Sequence, residues 1–189
     1  MSINNPFANP CIIVLAAGRG ERFAASGGKV HKLQALLAGK PVIEHVLAAV
    51  KASALAYHVV EADPTRPGMG DSIAAGVRAA PFAGSWLILP ADLPLITSGS
   101  LRAMAFAPPC AVAVPMVGGQ QGHPVRFGRE CVGQLLDLQG KKGAAHIIRA
   151  QAAIESIAFI ELDDIGCITD VDTLDDLRRA EALLNTRFA

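Results

Sequence analysis

Short apolar runs alternate along the chain with segments whose apolar residues recur at helical spacing. After a first run that begins at Cys11, further runs typical of strands lie at 57–62, 86–90, 111–117 and 157–162. Such alternation implies right-handed crossovers and helices packed on both faces of a mostly parallel sheet. We therefore predict a single-domain, three-layer α/β/α fold with a Rossmann-like sheet over residues 1–189, with 1–10 as an extended or disordered tail.

Composition agrees with this fold and excludes several functions. Hydrophobic residues make up 51% of the chain, with few aromatics, as expected for helices covering a buried parallel sheet. Net charge is zero, which argues against a nucleic-acid surface built on overall charge. The four cysteines form no C-x-x-C pair, no apolar run reaches membrane-spanning length, and the polar start is unlike a signal peptide. The cytoplasm is the expected location.

The first strand runs directly into a glycine turn that is rich in positive charge. Residues 18–32 contain four Arg or Lys (Arg19, Arg22, Lys29 and Lys32) against one acid, Glu21, a local charge of +3 with His neutral. Exposed amides, a following helix N-terminus and cationic side chains all favour an anion. This segment is therefore predicted to cradle phosphate.

Two well-known phosphate-binding motifs do not fit this turn. The P-loop requires Lys followed by Ser or Thr after its second glycine, and no such pair lies near Gly18. In the dinucleotide fingerprint G-x-G-x-x-G, the third glycine would be Phe23, which is too bulky for a close helix–sheet contact. The acid expected about 20 residues later would be Glu44, which lies inside a helical pattern.

The motif that does fit is L-A-A-G-x-G-x-R-F over residues 15–23, followed by Lys32 and Leu33. It resembles the signature of the nucleotidyltransferases related to molybdenum cofactor cytidylyltransferase and molybdopterin guanylyltransferase, and the resemblance extends over residues 11–184. It implies that Arg22 steadies the triphosphate of an NTP and that Lys32 neutralises charge in the transition state. Six loop residues would wrap the triphosphate: Leu15, Ala16, Ala17, Gly18, Arg19 and Gly20. In this family, alanine at position 17 accompanies cytidine, which favours CTP.

Carboxylates at two distant positions are candidate metal ligands. Asp92 follows an apolar strand and precedes Pro94, so its side chain is expected at the sheet rim, where a lone carboxylate suits Mg²⁺. The Asp of the family's D-x-P strand end binds the metal, and an acid of its D-[IV]-D-T element, here Asp170 to Thr173, completes the site. We favour Asp172 over Asp170, with Mn²⁺ as an alternative ion. Asp92 as a turn residue and Asp172 as a helix-start residue remain the alternatives.

Two weaker elements complete the resemblance. Gly68 to Gly76 is similar to the family's G-M-x-x-S-L-x-x-G, which implies that Gly70 and Ser72 help to hold the nucleotide. The alternative is a flexible loop with Asp71 as the N-cap of a helix over 72–79. His123 stands in a G-H-P element that borders the acceptor in relatives, although a lone His before Pro at a turn is more often structural.

Two departures concern the acceptor and the sheet. Relatives carry G-D-x-G-A-R where this chain has G-K-K-G-A-A at 140–145, which puts acceptor recognition in doubt. The interval before Gly68 holds one clear strand where relatives fit two, which leaves room for a sheet one strand smaller.

The sequence thus predicts a Mg²⁺-dependent nucleotidyltransferase that moves a nucleoside monophosphate from CTP to molybdopterin or the molybdenum cofactor and releases pyrophosphate. A molybdoenzyme-maturation protein is a candidate partner, and neither nucleic acid nor a membrane is expected. Two alternatives stay open. One is a cytidylyltransferase acting on a sugar or polyol phosphate, and the other is a non-catalytic protein that binds or delivers a nucleotide or cofactor.

Overall fold

A mixed, mostly parallel sheet of seven strands forms the centre of the computed structural model, which describes residues 9–65 and 68–186. Its strands are β1 (Pro10–Ala16), β4 (Ala56–Glu61), β5 (Ser85–Pro90), β6 (Val112–Val117), β7 (Gln120–Gln121), β8 (Val125–Gly128) and β9 (Ile157–Glu161). A separate hairpin pairs β2 (Leu36–Leu37) with β3 (Lys40–Pro41). The helices are α1 (Glu21–Ala25), α2 (Val42–Ala52), α3 (Met69–Ala79), α4 (Ser98–Ala105), α5 (Val132–Leu136), α6 (Ala145–Ala153) and α7 (Leu174–Thr186).

The strand order is β4-β1-β5-β8-β6-β7, and β9 pairs with β6. Strand β1 lies parallel to both β4 and β5, and β6 lies parallel to β9. Strand β8 runs antiparallel between β5 and β6. The predicted α/β fold with a mostly parallel sheet is confirmed.

The two faces of the sheet bury two separate cores, because alternate side chains of a strand point to opposite faces. In β1, Ile12 and Val14 pack into one core, which includes apolar residues of α2, α4 and α7. Ile13 belongs to the other core, which includes residues of α3, α5 and α6 and the fully buried Trp86. Helices therefore cover both faces, as predicted for a three-layer architecture.

The parallel register brings the loops after three strands to one edge of the sheet. Leu15 is paired with Val60 of β4 on one side and with Pro90 of β5 on the other. The pairing continues past β5, where the Ala91 N–H donates to the Leu15 carbonyl at 3.1 Å. Ligands of open α/β sheets bind at the carboxyl ends of the strands. The glycine turn and Asp92 therefore lie at the edge expected to carry the site.

The predicted N-terminal tail is shorter than expected where the structure describes it. Residues 1–8 lie outside the described residues, and Pro10 is already the first residue of β1. Pro115 lies inside β6, although proline has no N–H to donate to a ladder. It is tolerated because the ladder has a gap at Pro115 on one side, where β8 pairs only with Val112 and Ala113 and β7 only with Met116 and Val117. On the other side Pro115 stays in register with Ile160 of β9.

Helix α3 begins earlier than the sequence predicted. Its N-cap is Gly68, and Asp71 is the third helical residue, whose carboxylate accepts a hydrogen bond from the Gly68 N–H at 3.1 Å. Between α2 and α3 the described residues contain one strand, β4, as the sequence indicated. None of the helices in the described part of the chain has the length and apolar character needed to cross a bilayer.

Candidate functional site

The Lys32 ammonium joins two carboxylates that come from distant parts of the chain. Its Nζ lies 2.5 Å from Asp92 Oδ2 and 2.7 Å from Asp172 Oδ1. Asp92 follows β5, and Asp172 precedes α7, so the topology brings together three residues separated by 60 and 140 positions. The two carboxylates predicted as metal ligands are therefore neighbours at the carboxyl edge of the sheet.

This cluster is largely shielded from solvent on the lysine side. Only 11% of the Lys32 side chain is exposed. Burial by itself would lower the Lys32 pKa, but the charges and hydrogen bonds of Asp92 and Asp172 raise it above its ordinary value. Lys32 is therefore fully protonated at neutral pH, and its partners are the two carboxylates.

Arg22 reaches the same cluster from solvent. Its guanidinium lies 2.6 Å from Asp172 Oδ2, so each oxygen of this carboxylate faces one cation. The Arg22 side chain is 76% exposed, and an ion pair in that setting contributes little to stability and exchanges partners readily. Arg22 and Lys32 therefore form one exposed and one buried cation beside Asp172.

Backbone hydrogen bonds fix the carboxylates independently of these cations. The Val171 N–H donates to the Asp92 carbonyl at 2.9 Å, which joins the segment before α7 directly to the segment after β5. The Asp172 N–H donates to Asp176 Oδ2 at 3.2 Å. Asp176 also accepts from the Thr173 N–H at 2.9 Å, and the Asp176 N–H donates to the Thr173 hydroxyl at 3.2 Å, which forms a capping box at the start of this helix.

The glycine turn after β1 presents unused backbone donors. Within residues 9–65 and 68–186, no protein group accepts a hydrogen bond from the N–H of Gly18, Arg19 or Gly20. Gly20 has a φ of +66°, in the left-handed region that favours glycine. Arg19 extends into solvent beside Glu21, with 3.6 Å between charged atoms. Such a turn can surround an anion with N–H groups.

The helix that follows this turn is too short to contribute strongly to anion binding through its N-terminus. Helix α1 has five residues, Glu21–Ala25, so its aligned peptide dipoles are few. The amides of the turn, together with Arg22 and Lys32, therefore supply most of the positive character. Leu15, Ala16 and Ala17 lead into the turn and are half-buried, while Gly18 is exposed.

His31 connects the glycine turn to Lys32, and sequence reasoning gave it no role. Its Nε2 lies 2.7 Å from the Gly18 carbonyl oxygen, while its Nδ1 accepts a hydrogen bond from the Leu33 N–H. A neutral imidazole that donates through Nε2 satisfies both contacts. The only sequence signal was its position between the lysines of the motif.

The structure gives Gly70 and Ser72 partners inside the protein. The Gly70 N–H donates to the Gly140 carbonyl at 2.9 Å, and the Ser72 hydroxyl donates to the Gly68 carbonyl at 3.1 Å. Both residues are buried in the first turns of α3. A role in holding the nucleotide remains a prediction, and it would require these donors to be shared or the turn to open.

His123 lies at the site edge, next to the cis peptide bond that precedes Pro124 and leads into β8. Burial lowers the pKa of its imidazole below the ordinary value, although the Asp92 charge acts in the opposite direction. Its Nδ1 is buried and has no hydrogen-bond partner among the described residues. The imidazole is therefore neutral at pH 7, and its Nδ1 is enclosed by protein.

The donor set fits a divalent cation that is shared with phosphate. In the described part of the chain, no three or more His, Cys, Asp or Glu are grouped so that they could hold a metal alone. Mg²⁺ commonly takes one or two carboxylates and completes its shell with phosphate oxygens and water. Asp92 and Asp172 provide such a pair. Partial burial and the charges of these two carboxylates raise the pKa of Asp170, the other candidate, which places it close by.

Sequence comparison finds proteins that are similar to this chain. Residues 12–155 match the family model of the MobA-like NTP transferase domain. The bifunctional protein GlmU of Rhodospirillum rubrum is 32% identical over 139 residues, which are 62% of this chain and 30% of that protein. The matched curated relatives are longer, and the aligned region spans 29% to 38% of their length.

Solved structures share the fold over nearly the whole chain. A nucleotidyl transferase from Methanothermobacter has a TM-score of 0.79 at 21% identity, covering 95% of this chain and 99% of that one. Rv0371c from Mycobacterium tuberculosis, in complex with manganese, has a TM-score of 0.69 at 22% identity, covering 93% and 99%. These likenesses show the fold and do not identify a substrate.

Proposed function

Because the chain belongs to the family of MobA-like NTP transferase domains and is an NTP-dependent nucleotidyltransferase, we propose that it transfers cytidine monophosphate from CTP to molybdopterin or the molybdenum cofactor. An oxygen of the acceptor phosphate forms a bond to the α-phosphorus of CTP. The bond from that phosphorus to the bridging oxygen breaks, and pyrophosphate leaves with the electron pair. The observation that carries this proposal is the contact of Lys32 with Asp92 and Asp172 beside a turn of unused amides.

The chain's own groups suit a reaction that needs positioning and charge neutralisation. The amides of Gly18, Arg19 and Gly20 would bind the triphosphate, and His31 would keep their turn against the Lys32 segment. Lys32 and Arg22 would contact phosphate oxygens. Asp92 and Asp172 would hold the metal, which when bound neutralises phosphate charge and aligns the reacting groups.

The proposed metal, the proposed nucleotide and the proposed acceptor are each supported by a different observation. Mg²⁺ suits the two-carboxylate set, and the manganese complex of a protein with the same fold supports Mn²⁺ as an alternative. CTP is favoured by the alanine at position 17. For the acceptor, His123 is the candidate through its G-H-P element, and its buried imidazole would have to become exposed to contact the phosphorylated substrate.

Pyrophosphate release tests the proposal directly. Purified protein is mixed with molybdopterin or the molybdenum cofactor, Mg²⁺ and each of the four NTPs, and pyrophosphate is measured with and without EDTA. We expect release with CTP, none after EDTA, and a strong loss in Asp92→Ala and Asp172→Ala. Asp175→Ala is the matched control, since its carboxylate lies nearby on α7 but is 89% exposed and paired with Arg178.

The same assay separates the alternatives. Release only with a sugar or polyol phosphate would replace the proposed acceptor within the same chemistry. Absence of release with every NTP and acceptor would contradict the enzymatic proposal. CTP binding that persists in Asp92→Ala, in a protein without turnover, would favour a binding or delivery protein, which could present its ligand to a molybdoenzyme-maturation partner.

A further inference from the structure

Lys32 occupies the position between the two carboxylates that a metal ion would need. We infer that Lys32 is the exchangeable counter-ion of this site. Without nucleotide, its ammonium pairs with Asp92 and Asp172. When an NTP binds, the ammonium pairs with the triphosphate instead, and the divalent cation that arrives with the NTP binds the two carboxylates. The inference rests on the proposed function, because it requires an NTP at the glycine turn. It adds an order of binding and a second role for Lys32.

Distances show that the ammonium and a metal ion compete for the same oxygens. Lys32 Nζ lies at hydrogen-bond distance from Oδ2 of Asp92 and Oδ1 of Asp172. Mg²⁺ binds its oxygen ligands at about 2.0–2.1 Å and demands a regular shell. A metal ion between these carboxylates would therefore have to displace the ammonium.

Charge decides when this displacement is favourable. Asp172 contacts Lys32 and Arg22, and Asp92 contacts Lys32, so both carboxylates already have a positively charged partner. A bare divalent cation would add two positive charges and leave the Lys32 ammonium, with 11% of its side chain exposed, without its acceptors. A metal ion that arrives with a triphosphate brings new anionic partners for both Lys32 and Arg22. The exchange then conserves the ion pairing of every group.

We expect the carboxylates to stay in place when Lys32 is removed, which makes the inference testable. The Val171 N–H donates to the Asp92 carbonyl, and the Leu174 N–H donates to the Ser26 hydroxyl at 3.0 Å, so hydrogen bonds that do not involve Lys32 attach the chain on both sides of Asp172. Replacing Lys32 by methionine would remove the ammonium and keep an unbranched side chain. Two neighbouring carboxylates that lack this counter-ion should bind a divalent cation more tightly.

The experiment measures Mn²⁺ binding in the absence of nucleotide, by the loss of the free Mn²⁺ signal in electron paramagnetic resonance. We expect Lys32→Met to bind Mn²⁺ at least tenfold more tightly than the wild type while losing pyrophosphate release. Lys32→Arg, which keeps the charge, should bind Mn²⁺ as weakly as the wild type. Lys29→Met is the matched control, because Lys29 is an exposed lysine of the same segment.

The result that overturns the inference is a Mn²⁺ affinity of Lys32→Met equal to that of the wild type. If Lys32→Met does not fold, as judged by circular dichroism, Lys32→Gln serves the same test, because it also lacks the charge. Failure of the inference is distinguishable from failure of the proposed function. The first concerns the Mn²⁺ affinity of the variants, and the second concerns pyrophosphate release by the wild type.

Discussion

The buried carboxylate of Asp164 joins the start of α4 to the chain that leaves β9, and its removal should cost measurable stability. One oxygen accepts hydrogen bonds from the Thr97 N–H at 3.1 Å, the Thr97 hydroxyl at 2.8 Å and the Ser100 hydroxyl at 2.6 Å. The other accepts from the Gly166 N–H at 2.9 Å. Asp164→Ala deprives all four of these donors of this acceptor.

The magnitude follows from which donors can find another partner. The hydroxyls of Thr97 and Ser100 lie 3.0 Å apart, so one of them can donate to the other, and two backbone amides and one hydroxyl remain. An orphaned buried donor costs about 1–3 kcal/mol. A cavity of roughly 360 Å³ lined by Thr97, Ser100 and Asp164 lets water reach them, which favours the lower end of that range. We expect a loss of about 2–3 kcal/mol in the free energy of unfolding.

Urea denaturation at pH 7 and at acid pH is the assay. Burial alone would raise the Asp164 pKa, but hydrogen bonds from Ser100 and Thr97 lower it below its ordinary value. Its stabilisation is therefore complete above the unfolded-state pKa of about 3.9 and is lost as pH falls through the lower folded-state pKa. The deficit of Asp164→Ala should shrink accordingly in acid. Asp163→Ala is the control, because Asp163 is the neighbouring carboxylate and is exposed. A deficit below about 0.5 kcal/mol at pH 7, within the range of ordinary surface substitutions, would refute the reasoning.

Three further predictions concern two glycines and His31. A Cβ on Gly68 would lie 2.0 Å from the Gly140 carbonyl oxygen, so Gly68→Ala should destabilise the fold by about 1–3 kcal/mol in thermal denaturation. Gly133→Ala, which meets nothing within 4 Å in α5, should instead stabilise it by about 0.5–1 kcal/mol. His31→Ala removes the contact to the Gly18 carbonyl, and isothermal titration should show a Kd for CTP with Mg²⁺ raised about fivefold, the equivalent of one hydrogen bond. An unchanged Kd would mean that the turn holds its shape without His31.

Much of the architecture could be predicted because hydrophobic periodicity reports burial directly. The alternation of strands and helices indicated the parallel sheet, and the end of an apolar run located Asp92 at its rim. Asp172 was predicted from the resemblance of the D-V-D-T segment to a family element, and it lies just before α7. A pattern of this kind shows that a residue such as Asp92 lies at the end of a strand. The topology of the sheet then decides which strand ends lie next to each other.

Contacts between separate segments could not be predicted in this way. No local pattern indicates that the Gly70 N–H is bonded to Gly140, or that Ser72 turns its hydroxyl back to Gly68. The interior position of Pro115 depends on how far two neighbouring strands extend. These features are decided by partners that lie elsewhere in the chain, which single-sequence reasoning does not see.

The separation of Lys32 from its carboxylates along the chain has a consequence for biosynthesis. Asp92 follows it by 60 residues and Asp172 by 140. At synthesis rates of about 5–20 residues per second, roughly 7 to 28 s pass between the polymerisation of Lys32 and that of Asp172. During this interval the lysine has no complete anionic environment in which to be buried. The contact of Lys32 with Asp92 can therefore form first, and the complete cluster can form only after Asp172 has been synthesised.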